Sequence, residues 1–342
     1  PILVITQDSA NAAKVLAELQ FFVKSSTEVI YFPDWETLIY DSFSPHENII
    51  SARLKVLNQL QESNPKIIIA SCTTLMHRLP PKKFVSEGSF LISKEQWLDL
   101  ADLRKSMFLK GYREVSTVIE YGDFAVRGSI VDIFPMGSAT PFRIDLFDNI
   151  VDSIRTFDPE TQRSLDKKDK IEILPGREFP LSKSAINHFK NQWHLHFSGK
   201  PDDSSIYRDL SKGLVPAGIE YYLKFFFDET ASIFDHLPGE TKIFSENIAE
   251  AAKDYWEKAQ KRFESLRYDL SKPILPVSEI LLNPNDFFDQ LELNSFSTLE
   301  EIKKSQSPTC CYVQMPNVRV EKRSKQPFSL LEKLLKNSAN RV

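Results

Sequence analysis

Three short apolar runs place the tightest limit on what this chain can fold into. Ile2-Leu3-Val4-Ile5, Val29-Ile30-Tyr31-Phe32 and Ile67-Ile68-Ile69-Ala70 are continuous rather than alternating, the pattern of strands buried on both faces of a parallel sheet. Helical patterns separate them. Asp8 or Ser9 is placed to cap a helix with Val15, Leu16, Leu19 and Val23 on one face. Ser44-Pro45-His46-Glu47 has the form of a capping box with proline at the first helical position. Ile50, Leu54, Leu57 and Leu60 then make the inward stripe of a second helix. Strand, helix, strand, helix, strand predicts a doubly wound α/β layer over residues 1–89.

The texture changes near residue 90. Ser93-Lys94-Glu95-Gln96 reads as the start of an amphipathic helix that ends by Gly111. Short strands follow at Val115–Glu120, Phe124–Phe134, Phe142–Phe147 and Ile150–Phe157. The turns between them fall at Tyr121-Gly122-Asp123, Met136-Gly137-Ser138 and Asp148-Asn149. That spacing predicts an antiparallel meander in a small α+β domain over residues 90–174. Beyond Pro175 the pattern is mostly helical, at Ser182–Phe197 and Glu246–Arg267. Lys242-Ile243-Phe244 reads as a late strand rejoining the first sheet. Residues 175–312 would then be the second half of the α/β domain, and the small domain an insertion. The last segment, 313–342, is basic, with seven Lys/Arg against two Asp/Glu from Arg319 to Val342. Leu330, Leu331, Leu334 and Leu335 give it a helical start, and it is expected to be a linker toward a further domain. Pro1 leads at once into a strand without Met, so the chain is expected to be a fragment.

Several chemistries find no support in these residues. A net charge of −4 and a pI near 6.0 are unlike a surface built to track nucleic-acid phosphates. Among ten glycines none builds GxxxxGK followed by Ser or Thr, and none builds GxGxxG. The one Gly-Lys pair, Gly199-Lys200, runs into Pro201, which has no N–H for a phosphate. His194 and His196 would face different sides of a helix, and Cys72, Cys310 and Cys311 have no zinc spacing. Asp34, Glu36 and Asp41 read as solvated loop charges, and Trp35 between them as a packed residue. No apolar run reaches the ~18–20 residues of a membrane span. No catalytic residue, metal site or cofactor is expected, and the setting is expected to be reduced and cytoplasmic.

One surface stands out instead. Side chains of Phe142-Arg143-Ile144-Asp145-Leu146-Phe147 alternate between two faces of the sheet. Phe142, Ile144 and Leu146 face the core, which leaves Arg143, Asp145 and Phe147 outside. On Phe124-Ala125-Val126-Arg127-Gly128, Arg127 points outward as well, and Gly128 would mark a bulge. If these two strands are neighbours, Arg127, Arg143 and Phe147 converge, which is the composition of an interface hot spot. The residues alone equally allow each arginine to pair with a local aspartate and Phe147 to pack under the next turn.

Trp35-Glu36-Thr37-Leu38 with Tyr40-Asp41-Ser42-Phe43-Ser44-Pro45, Arg127-Gly128 with Asp132-Ile133-Phe134-Pro135, and Pro216-Ala217-Gly218-Ile219-Glu220 resemble the amino-terminal region of the bacterial transcription-repair coupling factors, the Mfd family. That region is in turn similar to UvrB. The resemblance implies two α/β halves around an inserted α+β domain that binds UvrA. Arginines and a phenylalanine on the outer sheet face would do so, at positions matching Arg127, Arg143 and Phe147. UvrB carries a Walker A motif ahead of its first α/β strand and a long aromatic hairpin. This chain starts at the strand and has no room for the hairpin between Phe32 and Ser44, so the resemblance implies a recruitment module without ATPase activity. It also implies that later domains of the family protein bind RNA polymerase and move on DNA with ATP and Mg2+. Masking of the UvrA-binding face by the protein's own C-terminal domains is a further family expectation. A DNA-binding or ATP-dependent helicase fragment is the competing class, and it predicts salt-sensitive DNA binding or nucleotide hydrolysis.

Overall fold

The three apolar runs lie in one parallel sheet. In the computed structural model, residues 1–23, 27–62, 64, 66–294, 296–298, 326, 328 and 329 are described. The chain divides into a unit of residues 1–299 and a second of residues 300–342. Cys310, Cys311 and the leucine stripe from Leu330 to Leu335 lie outside the described residues, so the account below concerns the first unit.

It opens with β1 (Ile2–Thr6), α1 (Ser9–Phe22), β2 (Glu28–Tyr31), α2 (Glu47–Gln59) and β3 (Lys66–Ser71). β1 pairs with β3 and β3 with β2, all parallel. Leu3, Ile5, Ile68 and Ala70 are fully buried; on the alternate positions Ile69 is fully buried and Ile2, Val4 and Ile67 partly so. Asp8 is the cap of α1, its carboxylate accepting the N–H of Asn11 at 2.8 Å.

The expected capping box at Ser44 does not form. α2 begins at Glu47, and His46 is its cap. Ser44 is engaged elsewhere: its hydroxyl donates to Glu220 at 2.7 Å and accepts the N–H of Gly218 at 3.0 Å. Glu47 meets Arg177 at 3.0 Å. Contacts to residues more than a hundred positions away outcompete the local motif. The inward stripe holds, with Ile50, Leu54, Leu57 and Leu60 all buried.

Two short helices, α3 (Cys72–Leu75) and α4 (Lys82–Gly88), lead to β4 (Phe90–Ser93). Here a second expectation is corrected. The segment read as a helix from Ser93 starts as a strand, turns at Glu95 (φ 67°), and becomes helical only in α5 (Leu100–Leu109). Asp99 caps that helix through the N–H groups of Ala101 and Asp102. β5 (Arg113–Glu114), β6 (Asp123–Arg127), β7 (Ile130–Ile133), β8 (Phe142–Phe147), β9 (Ile150–Phe157) and β10 (Ser164–Lys168) form a sheet in the order β10-β9-β8-β7-β6-β5. It is antiparallel except for β5 beside β6. β11 (Lys170–Ile173) then pairs with β4. The run 124–134, read above as one strand, is a hairpin, and 115–120 is not a strand.

Downstream come α6 (Lys183–His196), α7 (Ser205–Ser211), α8 (Ile233–His236), β12 (Lys242–Ser245), α9 (Ala249–Leu266), α10 (Pro284–Leu293) and β13 (Phe296–Thr298). β12 returns to the first sheet and pairs in parallel with β1, as Lys242-Ile243-Phe244 suggested. β13, which the sequence reading did not anticipate, extends it to β13-β12-β1-β3-β2. The inner face of the antiparallel sheet (Val131, Ile133, Ile144, Ile154) shares one core with Trp193, Tyr222 and Phe225 and with Trp35 and Leu54.

Trp35 packs, as expected, and it does so around a buried ion pair. Arg53 of α2 donates through Nε to Glu178 Oε1 at 2.7 Å, and both side chains are almost wholly buried. Trp35 Nε1 donates to the other carboxylate oxygen at 3.1 Å, and a further Arg53 nitrogen donates to the carbonyl of Pro33 at 2.8 Å. The guanidinium lies 4.4 Å from the Phe32 ring centroid. Removing one partner strands a buried charge, which typically costs about 3–5 kcal/mol. Glu178→Ala should therefore lower the unfolding free energy by about that amount in urea titrations. A loss under ~1 kcal/mol would show that the pair does not hold the segments together.

Glu220 gives a pH-dependent counterpart. Burial pushes its carboxyl up to about 7 from 4.5, against the opposing hydrogen bond from Ser44. Below pH 4.5 folded and unfolded chains both hold the proton. As pH rises toward 7 the unfolded chain releases it first, so this group lowers stability across that window, by ~3 kcal/mol at ~1.4 kcal/mol per unit. Glu220→Gln should abolish that decline. Denaturation midpoints at pH 5 and pH 7.5 should diverge in favour of the variant as pH rises, and parallel curves would refute the assignment.

Candidate functional site

The outer face of the antiparallel sheet is built by two tight hairpins. Arg127 pairs with Ile130 across Gly128-Ser129, with Gly128 at φ 61°. A positive φ at the first loop position is the demand of a type II′ turn, which glycine meets without strain. Gly128 thus marks a turn and not a bulge. Phe147 pairs with Ile150 across Asp148-Asn149, at φ 47° and 63°. Two positive values are the signature of a type I′ turn, and Asp and Asn tolerate them best after glycine. The one register shift along this pair of strands lies between Asp145 and Leu146.

Because 124–134 is a hairpin, β6 and β8 are not neighbours. β7 lies between them and brings Asp132 into the middle. Asp132 is directly opposite both Ala125 and Arg143, and Arg143 is opposite Arg155. The Asp132 side chain is fully buried beneath two arginines. Arg143 grips it with two donors, Nε to Oδ1 at 2.7 Å and a terminal nitrogen to Oδ2 at 2.9 Å. Arg127 reaches the same Oδ2 from the diagonal position. This bidentate geometry is the stronger class of carboxylate–guanidinium contact, and it holds the Arg143 pKa above its ordinary value.

The two arginines are not equivalent. The Arg143 side chain is only 18% exposed. Its third donor meets the carbonyl of Gln162 at 3.2 Å, and its guanidinium lies 4.9 Å from the Phe157 ring. Phe157 belongs to a small cluster with Val118, Ala125 and Phe134 that covers this end of the outer face. Arg127 is 50% exposed, and among the described residues its ion-pair partner is Asp132. Arg155 turns away from Arg143 toward Asp145, at 3.1 Å. Phe147, at 71% exposure, stands clear at the turn. The structure therefore brings Arg127 and Arg143 together through Asp132 and places Phe147 further along the same face. Local pairing and outward presentation, posed as alternatives above, hold together here: the arginines pair locally, and Arg127 and Phe147 still reach solvent.

The other chemistry-bearing residues do not assemble. Asp34 accepts from Thr74 at 2.9 Å and from the N–H of Glu36, and Asp41 accepts from the N–H of Ser42. His194 meets Tyr207 and His196 the carbonyl of Gln192. Burial pushes the Cys72 thiol up to about 12, the opposite of an activated nucleophile. No group of three or more His, Cys, Asp or Glu among the described residues could hold a metal ion. Likewise, no helix among them is long and apolar enough to cross a membrane.

This face lies in the part of the chain that the comparisons single out. Residues 90–179 match the family model of the UvrB interaction domain. The transcription-repair-coupling factor of Haemophilus influenzae is 36% identical over 99% of this chain and 30% of its own length. Over this region the chain is a homologue of the transcription-repair-coupling factors. That of Escherichia coli is 36% identical over 98% of this chain and 29% of its own, and that of Bacillus subtilis 27% identical over 73% and 22%. The chain thus spans about a third or less of the curated relatives it matches.

Asp132 is the residue of this face that sequence reasoning passed over. Nothing in the sequence marks it until the Gly128 hairpin is recognised. Asp132→Asn should leave the largely covered Arg143 without its counter-charge and cost about 1–3 kcal/mol of stability. Thermal unfolding checks this, and a Tm within a degree of wild type would show the hub to be dispensable.

Proposed function

We propose that the chain is a recruitment module that docks UvrA on the outer face of its antiparallel sheet. The single observation behind this reading is an exposed aromatic and a half-exposed arginine, Phe147 and Arg127, held at tight hairpin turns within the segment that matches the UvrB interaction domain. Arg127 would supply a charge-assisted donor and Phe147 the apolar anchor. Arg143, largely covered, would act mainly by fixing Asp132 and so the pose of Arg127. In this reading the module performs no catalysis. RNA polymerase and DNA would be engaged, with ATP and Mg2+, by parts of a coupling factor beyond these residues. The function would then be to bring excision repair to stalled transcription.

The geometry separates the three variants. Phe147→Ala should weaken UvrA binding by about 1–3 kcal/mol with little change in Tm, and Arg127→Ala should weaken it similarly with only a small loss of Tm, because Arg143 still holds Asp132 with two donors. Arg143→Ala should weaken binding and lower Tm together, since it also uncovers Asp132 and Phe157. Titration calorimetry with purified UvrA, paired with thermal melts, reads both. Wild-type affinity in all three variants would sink the reading. Tight, salt-sensitive DNA binding by the chain alone would favour a nucleic-acid-binding fragment instead.

A further inference from the structure

The apolar part of the outer face does not end at Phe147. Its direct partner Ile150 is 44% exposed, and on the far side of β9 Ile150 bridges to Trp97, which is 64% exposed. Residues directly opposite across strands share a face, with Cβ atoms about 5 Å apart. Phe147, Ile150 and Trp97 therefore form one row running across the sheet. Trp97 is fixed there by its backbone. The N–H of Glu95 donates to Val151 at 2.8 Å, the N–H of Val151 to Gln96 at 2.9 Å, and the N–H of Leu98 to Asn149 at 2.7 Å. Alternation then sends Leu98 into the core and Trp97 outward.

We propose that this row is a continuous apolar strip against which UvrA docks, with Trp97 as a second aromatic anchor beyond Phe147. The inference rests on the UvrA reading above. It is carried by the strip's continuity with the Arg127–Phe147 face and by its position wholly inside residues 90–179. Its surroundings fit the anatomy of an interface, an apolar centre within a polar rim. Glu95, Asp148 and Asp152 around the row are exposed, and the Asp132-bound arginines lie on the same outer face. The occupant must then present an apolar surface with carboxylates toward Arg127. Tryptophan on a hydrogen-bonded backbone loses little freedom on binding, which is why such residues dominate interface energetics.

The test uses the 342-residue chain and purified UvrA. Trp97→Ala should weaken binding about tenfold or more, with Tm unchanged because the side chain is exposed. Trp97→Phe should recover most of the affinity. Fluorescence gives a second readout. Trp35 and Trp193 are buried and Trp256 is partly packed, so UvrA should blue-shift chiefly the emission of Trp97, and Trp97→Phe should lose that shift. If Trp97→Ala binds as wild type while Arg127→Ala and Phe147→Ala are weakened, the strip is overturned and the UvrA reading survives. If none of the variants is weakened, the reading itself fails. If the chain alone self-associates and Trp97→Ala abolishes this without affecting UvrA binding, the strip serves a second copy, and the proposal is overturned.

Discussion

The Arg53–Glu178 pair is the contact through which the two sheets are held in one frame. Arg53 sits in α2, Glu178 in the segment that leaves β11, and Trp35 in the loop after β2, so one carboxylate fastens three stretches of chain that are far apart in sequence. A pair this deep is a weak stabiliser in net terms, because two desolvated charges must first be offset. What it supplies is uniqueness of arrangement: any relative slip of the segments would leave a bare charge in the interior. The seam around it tolerates little else. A Cβ at Gly176 would lie 2.9 Å from the backbone of Gly111, and one at Gly137 would lie 2.8 Å from Leu174. The N–H of Gly137 donates to Ser51 of α2 at 2.8 Å.

Asp132 repeats the device on the outside, with a different balance. There the carboxylate is fully buried only because two arginines cover it, and one of them remains half in water. Such an arrangement keeps a positive group at the surface while restricting its rotamers. An arginine free in solvent would lose more freedom on meeting a partner. Arg143 and Arg155, opposed across β8 and β9, would repel if both pointed outward. Each is drawn off by its own aspartate, and the face stays compatible with a sheet.

What could be read from the string follows from how local its causes are. The three parallel strands were legible because burial on both faces leaves a continuous apolar signature. The outward position of Phe147 was legible because alternation along β8 is unbroken up to the turn. Two features were misread for one reason. Ser44 and Glu47 look like a capping box, and Ser93 to Gln96 like a helix start, until Gly218, Glu220, Arg177 and strand β11 arrive from elsewhere in the chain and claim those groups. The Gly128-Ser129 turn was missed because its flanks, Phe124–Arg127 and Ile130–Phe134, read as one apolar run. That miss hid Asp132, since reading the hairpin as one strand put β6 beside β8 and left no place for a carboxylate between the arginines.

The same misreading concealed Trp97. In a helix opening at Ser93 it would be one more amphipathic residue; in the extended segment that bridges to Ile150 it has nowhere to go but out. A large aromatic held outward by backbone hydrogen bonds cannot be relieved by a side-chain rotation into the core, because Leu98 already occupies that direction. Its exposed area must be covered by something else or remain in water, and at about 25 cal/mol per Å2 an indole left uncovered is a standing incentive to associate. The Phe147 end of the row is held by a type I′ turn whose Asp148 and Asn149 both sit at positive φ, and the Trp97 end by backbone hydrogen bonds to Asn149 and Val151. A hydrogen-bonded backbone beneath and apolar surface above are what a docking face requires, and this sheet has both on the side away from its own core.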